Sequence, residues 1–350
     1  MAFVLFVIAI FLEILIVTIS KDGDLQTLMS NYGIMITAAL FILTHPKDIK
    51  IILGIIRIMA YAIVIANLVL VLLYPEGLYV SYDPFPMWLS GNKNAMPTVC
   101  ALFCLFCLMH SAICDKSIGM VDITMIGISL YISIAVNSIT TCVSLIIAMV
   151  FYLLSLYNIF RINRIFTLFG IFIASLVASI GVALLNVQSN ILFVRYLIEN
   201  VLHRDVTMTT RTDIWTRALL RIEKSPYLGL GNEYSVLRIN LLGYDSTHNG
   251  WIEIIYLGGF VCLFLYIALL IYVDKCSLKL KNTYMYSCVL SFSVFVALRF
   301  ISERPMHGAG SICVIIFMAI ICCIAQNSKA AYIACEVKRP GKKQNVATII

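Results

Sequence analysis

The chain has 350 residues, of which 61% are hydrophobic and 12% charged, with a mean hydropathy of +0.98 and a formal net charge of +7. A soluble domain of this length carries about twice that charged fraction. The composition excludes a single water-soluble core and marks an integral membrane protein.

The apolar runs are mostly about 18 to 24 residues long and lack strand alternation, so they must cross the bilayer as helices. About ten spans are predicted, at roughly 2–19, 31–44, 50–73, 97–114, 118–136, 140–160, 165–185, 249–273, 282–301 and 309–327. The first has neither a basic n-region nor a small-residue cleavage site, and is read as a retained anchor. The second is short, and a tilted or re-entrant segment is expected there. The predicted fold class is an all-α integral membrane protein of about ten transmembrane helices with one large outer loop of amphipathic helices. Four regions follow: 1–185 with about seven spans, the loop 186–248, 249–328 with about three spans, and a basic tail, 329–350.

Lysine and arginine set the expected orientation. With the N-terminus inside, the inner loops hold Lys47, Lys50, Lys116, Arg161, Arg164, Lys275, Lys279 and Lys281. The tail adds Lys329, Lys338, Arg339, Lys342 and Lys343. The short outer loops hold only Lys21, Lys93 and Arg304. Both termini are expected inside and the loop 186–248 outside. The net charge is then mostly positive-inside bias, a poor signal for nucleic acid.

The spans are nearly free of charge. Arg57, Asp122 and His110 fall near predicted inner ends, where snorkelling suffices as an explanation. Glu13 lies in the outer half of the first span with no assigned role. Cys100, Cys104 and Cys107 share a helix face, but lacking a histidine or carboxylate partner they read as small apolar packing. No cysteine lies between 186 and 248, so no disulfide framework is implied.

Polar residues gather instead on the outer face: in the loop 74–97, around Asn137 and Ser138, in the long loop, and in "RFISERPMHG" at 299–308. The long loop reads as two helices. "NILFVRYLIENVLHR" (190–204) sets Ile191, Val194, Ile198 and Val201 on one face, with Arg195 and Glu199 four apart on another. "RTDIWTRALLRIEKSPYLGLG" (211–231) sets Ile214, Trp215, Ala218, Leu219 and Ile222 in an apolar stripe. Arg211, Arg217 and Arg221 lie off that stripe, and Ser225-Pro226 with Gly229 and Gly231 end the helix. Such helices suit the membrane interface. By position alone His248 reads as an interfacial histidine beside a helix cap at Asn249.

The order Arg211, Trp215, Pro226, Gly229, Gly231, then His248-Asn249 leading into a span with Glu253 and Gly258-Gly259, resembles the O-antigen polymerase and O-antigen ligase superfamily. "GNKNAMP" (91–97) resembles the glycine-asparagine stretch often found there before an early span. The departure is near Ser138, where many members have Ser-Arg and this chain has "NSITT". Arg299 is one alternative source of that outer arginine.

The resemblance implies a GT-C-like architecture and inverting glycosyl transfer on the periplasmic face of a bacterial inner membrane. The donor would be a glycan on undecaprenyl diphosphate, with no cofactor or metal. Undecaprenyl-diphosphate-linked oligosaccharide and polysaccharide and membrane lipids are the implied partners, with a chain-length regulator and a flippase as candidate protein partners and no nucleic acid. The outer loops hold no His/Cys ligand cluster. Arginines are therefore the available cations for a diphosphate leaving group. The expected catalytic residues are His248, as proton acceptor, and Arg211. Arg195, Arg204, Arg217, Asn249, Glu253 and Arg299 are expected to bind substrate, Asn249 and Glu253 by orienting His248. A polymerase is favoured over a ligase. A flippase for lipid-linked sugars is disfavoured, because it should carry polar residues along a central cavity.

Overall fold

The computed structural model describes residues 2–80, 86–114, 118–183, 196, 211–281, 283–303 and 309–327. Helices occupy all ten places where spans are predicted: α1 (Ala2–Ser20), α2 (Leu25–Thr44), α3 (Ile49–Leu73), α4 (Ala95–Cys114), α5 (Met120–Ala135), α6 (Ile139–Leu156), α7 (Leu168–Ala183), α10 (Gly250–Leu278), α11 (Tyr284–Ser302) and α12 (Ala309–Gln326). Two further helices, α8 (Arg211–Ile222) and α9 (Ser235–Leu242), belong to the long loop. Seven of them (α1–α4, α6, α10 and α11) are long and apolar enough to cross a membrane, and α5, α7 and α12 are shorter apolar helices. This is an all-α integral membrane protein.

The second span is not short. Asp24 caps α2 by accepting hydrogen bonds from the Thr27 amide (3.0 Å) and hydroxyl (2.7 Å). The helix therefore begins at Leu25 and runs 20 residues, with its polar first turns hidden from a hydropathy reading.

Helices α4 and α11 form the buried centre, and α1, α2 and α3 leave most of their residues facing outward. α10 packs against α1, α7, α11 and α12, while α11 packs on α6, α7 and α4. Cys100, Cys104 and Cys107 are buried in α4, where Cys104 Sγ donates to the Met125 carbonyl.

Contacts define two ends. At one lie the α1–α2 turn, a small antiparallel sheet (β1, Tyr79–Val80; β2, Pro86–Trp88; β3, Gly91–Asn92), the α5–α6 turn, α8, α9 and the end of α11. The sheet sits in the stretch expected as loop 74–97. Its Asn92 side chain accepts from the amides of Asn94 and Ala95 where α4 begins.

The opposite end corrects the snorkelling reading of Arg57, His110 and Asp122. Asp122 is 1% exposed, bonded by Tyr61 and Ser111 and ion-paired with Arg57 at 3.2 Å. Arg57 also donates to Tyr61 and to His110 Nδ1. Three helices bring these groups together, so the charges are paired inside the protein instead of reaching for water. Glu13, in α1, keeps a buried Oε1 without a hydrogen-bond partner.

Candidate active site at one end of the bundle

The site is built on a crossing of two backbones. α10 is broken at Gly258 (φ −133°) and Gly259 (φ +61°, ψ −161°). The break leaves backbone groups unsatisfied, and the turn segment 226–231 fills them. The Leu230 and Gly231 amides donate to the carbonyls of Tyr256 and Leu257, and the Phe260 and Val261 amides donate to those of Pro226 and Tyr227. A Cβ on Gly229 would lie 2.5 Å from the Gly259 nitrogen, and one on Gly259 2.2 Å from the Tyr227 carbonyl. The crossing therefore requires glycine on both sides. It also adjusts height: α10 has 29 residues and α11 has 19, about 43 and 28 Å of straight helix, yet their outer ends meet.

Above the crossing a turn holds His248. The Trp215 indole of α8 donates to the Thr247 carbonyl at 2.9 Å. Glu253, one turn into α10, accepts from the Thr247 amide (3.1 Å) and hydroxyl (2.9 Å). The same carboxylate takes two 2.8 Å bonds from Arg238 of α9, whose guanidinium lies 4.9 Å from the centre of the Tyr256 ring. Asn249 caps α10 through the amides of Trp251 and Ile252 and donates to the Ile301 carbonyl at the end of α11. Held from both sides, His248 adopts φ +48°, a left-handed conformation that costs a histidine free energy.

The end of α11 supplies the residue that the sequence reading did not single out. Glu303 Oε2 lies 3.1 Å from His248 Nδ1, and its Oε1 lies 2.9 Å from Arg211 and 3.9 Å from Arg299. Burial raises the Glu303 pKa, but the His248 hydrogen bond and the charges of Arg211, His248 and Arg299 outweigh it and lower the value to about 2. Glu303 is thus ionised and only accepts. Nδ1 of a neutral His248 must carry the proton, and its lone pair sits on Nε2. Arg299 is 2% exposed, donates to Thr140 at 2.7 Å and keeps Nε without a partner. Two guanidinium groups against one carboxylate leave one surplus positive charge.

Residues 124–267 match the family model described as O-antigen ligase. The match supports a likeness to the O-antigen ligase and polymerase superfamily over that stretch. It contains Arg211, Trp215, the crossing and His248, while Arg299 and Glu303 lie beyond it. The superfamily carries a glycosyltransferase-like activity at a membrane. No curated protein and no solved structure matches the chain.

The superfamily motif thus acquires a geometry. Its tryptophan and its His-Asn pair meet across one hydrogen bond, and its glycines form the backbone crossing. His248, Arg211 and Arg299 come together on Glu303. Asn249 and Glu253 are buried and spend their polar atoms on the His248 turn and its neighbours. Arg217 is exposed on α8, beside Gly243, and makes no ion pair with a described residue. Arg195, Arg204 and the helix expected at 190–204 lie outside the described residues, Tyr196 excepted. The "NSITT" departure also finds a partner, because Arg299 reaches Thr140 within it.

Proposed function

We propose that this protein is a polysaccharide polymerase of the bacterial inner membrane. It would transfer a growing glycan from undecaprenyl diphosphate to a lipid-linked repeat unit on the periplasmic face. The observation that carries this reading is the cluster His248–Glu303–Arg211–Arg299 at one end of the bundle. Glu303 holds His248 with Nε2 open as a base, as a carboxylate orients histidine in a nucleophile-activating pair. Nε2 takes the proton of the acceptor hydroxyl as its oxygen attacks the anomeric carbon, and the diphosphate leaves with the bonding electrons. A single displacement inverts that carbon. The charge developing on the diphosphate is met by Arg211 and by the surplus positive charge of the cluster.

The charge balance of the loop favours polymerase over ligase. Between 186 and 248 lie seven basic residues (Arg195, Arg204, Arg211, Arg217, Arg221, Lys224 and Arg238) and six acidic ones (Glu199, Asp205, Asp213, Glu223, Glu233 and Asp245). Arg221 is paired with Glu233 and Arg238 with Glu253. A ligase docks on lipid A core, usually rich in phosphate, and should present a more basic surface. Deleting the gene should leave lipid A core capped by one repeat, without a ladder. A naked core with polymer stranded on its lipid carrier would make the protein the ligase. Within either reading, His248→Ala should leave folded, inserted protein with activity reduced about 10²- to 10⁴-fold. Unaltered product length would remove the base from His248.

A further inference from the structure

Helices α8 and α9 belong to one loop and differ in where they put their charged side chains. α8 turns Ile214, Trp215, Ala218 and Ile222 inward and, Leu220 apart, shows Asp213, Thr216 and Arg217 to the outside. α9 buries Leu242 in the same apolar cluster, but its one charged residue, Arg238, is also 2% exposed and pairs inward with Glu253, whereas Val236, Leu237 and Ile239 point out beside Ser235 and Asn240, Val236 at 72% exposure. A helix that hides its charge and shows its apolar face does not fit water on that face.

The surroundings say what fits instead. Before α9, Tyr227 and Leu228 are exposed too, and the segment that carries them is hydrogen-bonded to Phe260 and Val261 of α10. Phe260, Val261 and Phe264 are exposed on a helix long and apolar enough to span the membrane. The outward face of the loop is therefore continuous with the lipid-facing face of α10. Tyr227 and Tyr234 add amphipathic rings of the kind found at membrane interfaces.

We propose that residues 227–239 form an embedded element whose outward side chains sit in the hydrocarbon of the leaflet at the site end. α8 lies above it, facing water. This concerns the membrane alone and holds for a polymerase and a ligase alike. It gives the buried Arg238–Glu253 pair a further purpose. α9 is anchored in lipid, Arg238 ties it to Glu253, and Glu253 holds Thr247, so the height of His248 is fixed relative to the bilayer surface.

The test uses the full chain in lipid nanodiscs. Trp88, Trp215 and Trp251 are all buried and provide a constant fluorescence background. Val236→Trp and Leu228→Trp, compared with Thr216→Trp on α8, are read with two quenchers, nitroxides on the lipid acyl chains and acrylamide in the water. The two loop variants should emit to the blue and be quenched severalfold more by the acyl-chain nitroxide than Thr216→Trp, with acrylamide showing the opposite order. Equal acrylamide quenching at all three positions would overturn the proposal. So would protection of Val236→Trp and Leu228→Trp from both quenchers, which would mean that protein covers this face.

Discussion

At the scale of single residues, Glu303 joins three positively disposed groups that the chain keeps far apart: Arg211, His248 and Arg299. Its lowered pKa makes a testable statement. A carboxyl depressed in the folded state contributes stability that is fully present above its ordinary value and is lost as the pH falls towards about 2. The difference in stability between wild type and Glu303→Gln should therefore shrink as the pH falls below about 4.5, with a loss on the order of 3 kcal/mol across that acid limb. A gap that does not narrow in acid would show that Glu303 is not held ionised by its neighbours. Arg211 tests the donor clamp. A charged hydrogen bond to phosphate contributes roughly 1.5–3 kcal/mol, so Arg211→Ala should reduce polymer formation about ten- to a hundred-fold. Lysine should rescue poorly because it lacks the planar fork. Normal product from both variants would end this role. His248 and Arg211 were legible because a motif carries them. Glu303 was not: it stood only within a polar stretch beyond a span, and nothing local points to partners 55 and 92 positions earlier. Asp122 and Arg57 failed for the same reason, each unremarkable until α3, α4 and α5 are packed.

At the scale of elements, apolar runs located ten helices, seven of them long and apolar enough to cross a membrane, because lipid leaves helices little choice. Two elements escaped. The start of α2 was masked by polar residues that its Asp24 cap makes helical, and α9 by its inverted polarity, which removes the amphipathic pattern a loop helix usually shows. The glycines of the crossing were visible as a motif, but their purpose needed the fold. Gly259 combines a φ/ψ region open almost only to glycine with the 2.2 Å approach of Tyr227. Gly259→Ala should therefore lower stability by about 3 kcal/mol or more, from strain and overpacking together. Gly33, in the middle of α2, has open space around its Cβ position. Gly33→Ala should be neutral or stabilising by about 0.5–1 kcal/mol. Thermal unfolding in one detergent measures both. Equal melting of the two variants would mean that the crossing does not hold the outer end of α10.

At the scale of the whole molecule, the two ends of the bundle differ in charge and in what they build. One end gathers His248, Glu303, Arg211 and Arg299 together with α8 and α9. The other has the Arg57–Asp122 network and the turns bearing Lys47, Lys50, Arg161, Arg164, Lys275, Lys279 and Lys281. The helix-to-helix bonds fix which turns share an end: Arg299 to Thr140 and Asn232 to Asp24 on the first, Phe169 to Asp274 and Tyr286 to Phe166 on the second. Basic residues in short loops follow the cytoplasmic side during insertion. The lysine-bearing end should therefore face the cytoplasm and the His248 end the periplasm, where a lipid-linked glycan would meet it. Reporter fusions at residue 160, at residue 278 and at the C-terminus should read cytoplasmic, and insertions after Val80 and after Gly243 should read periplasmic. A periplasmic reading at 278 would invert α10, place His248 in the cytoplasm and remove the proposed reaction with it.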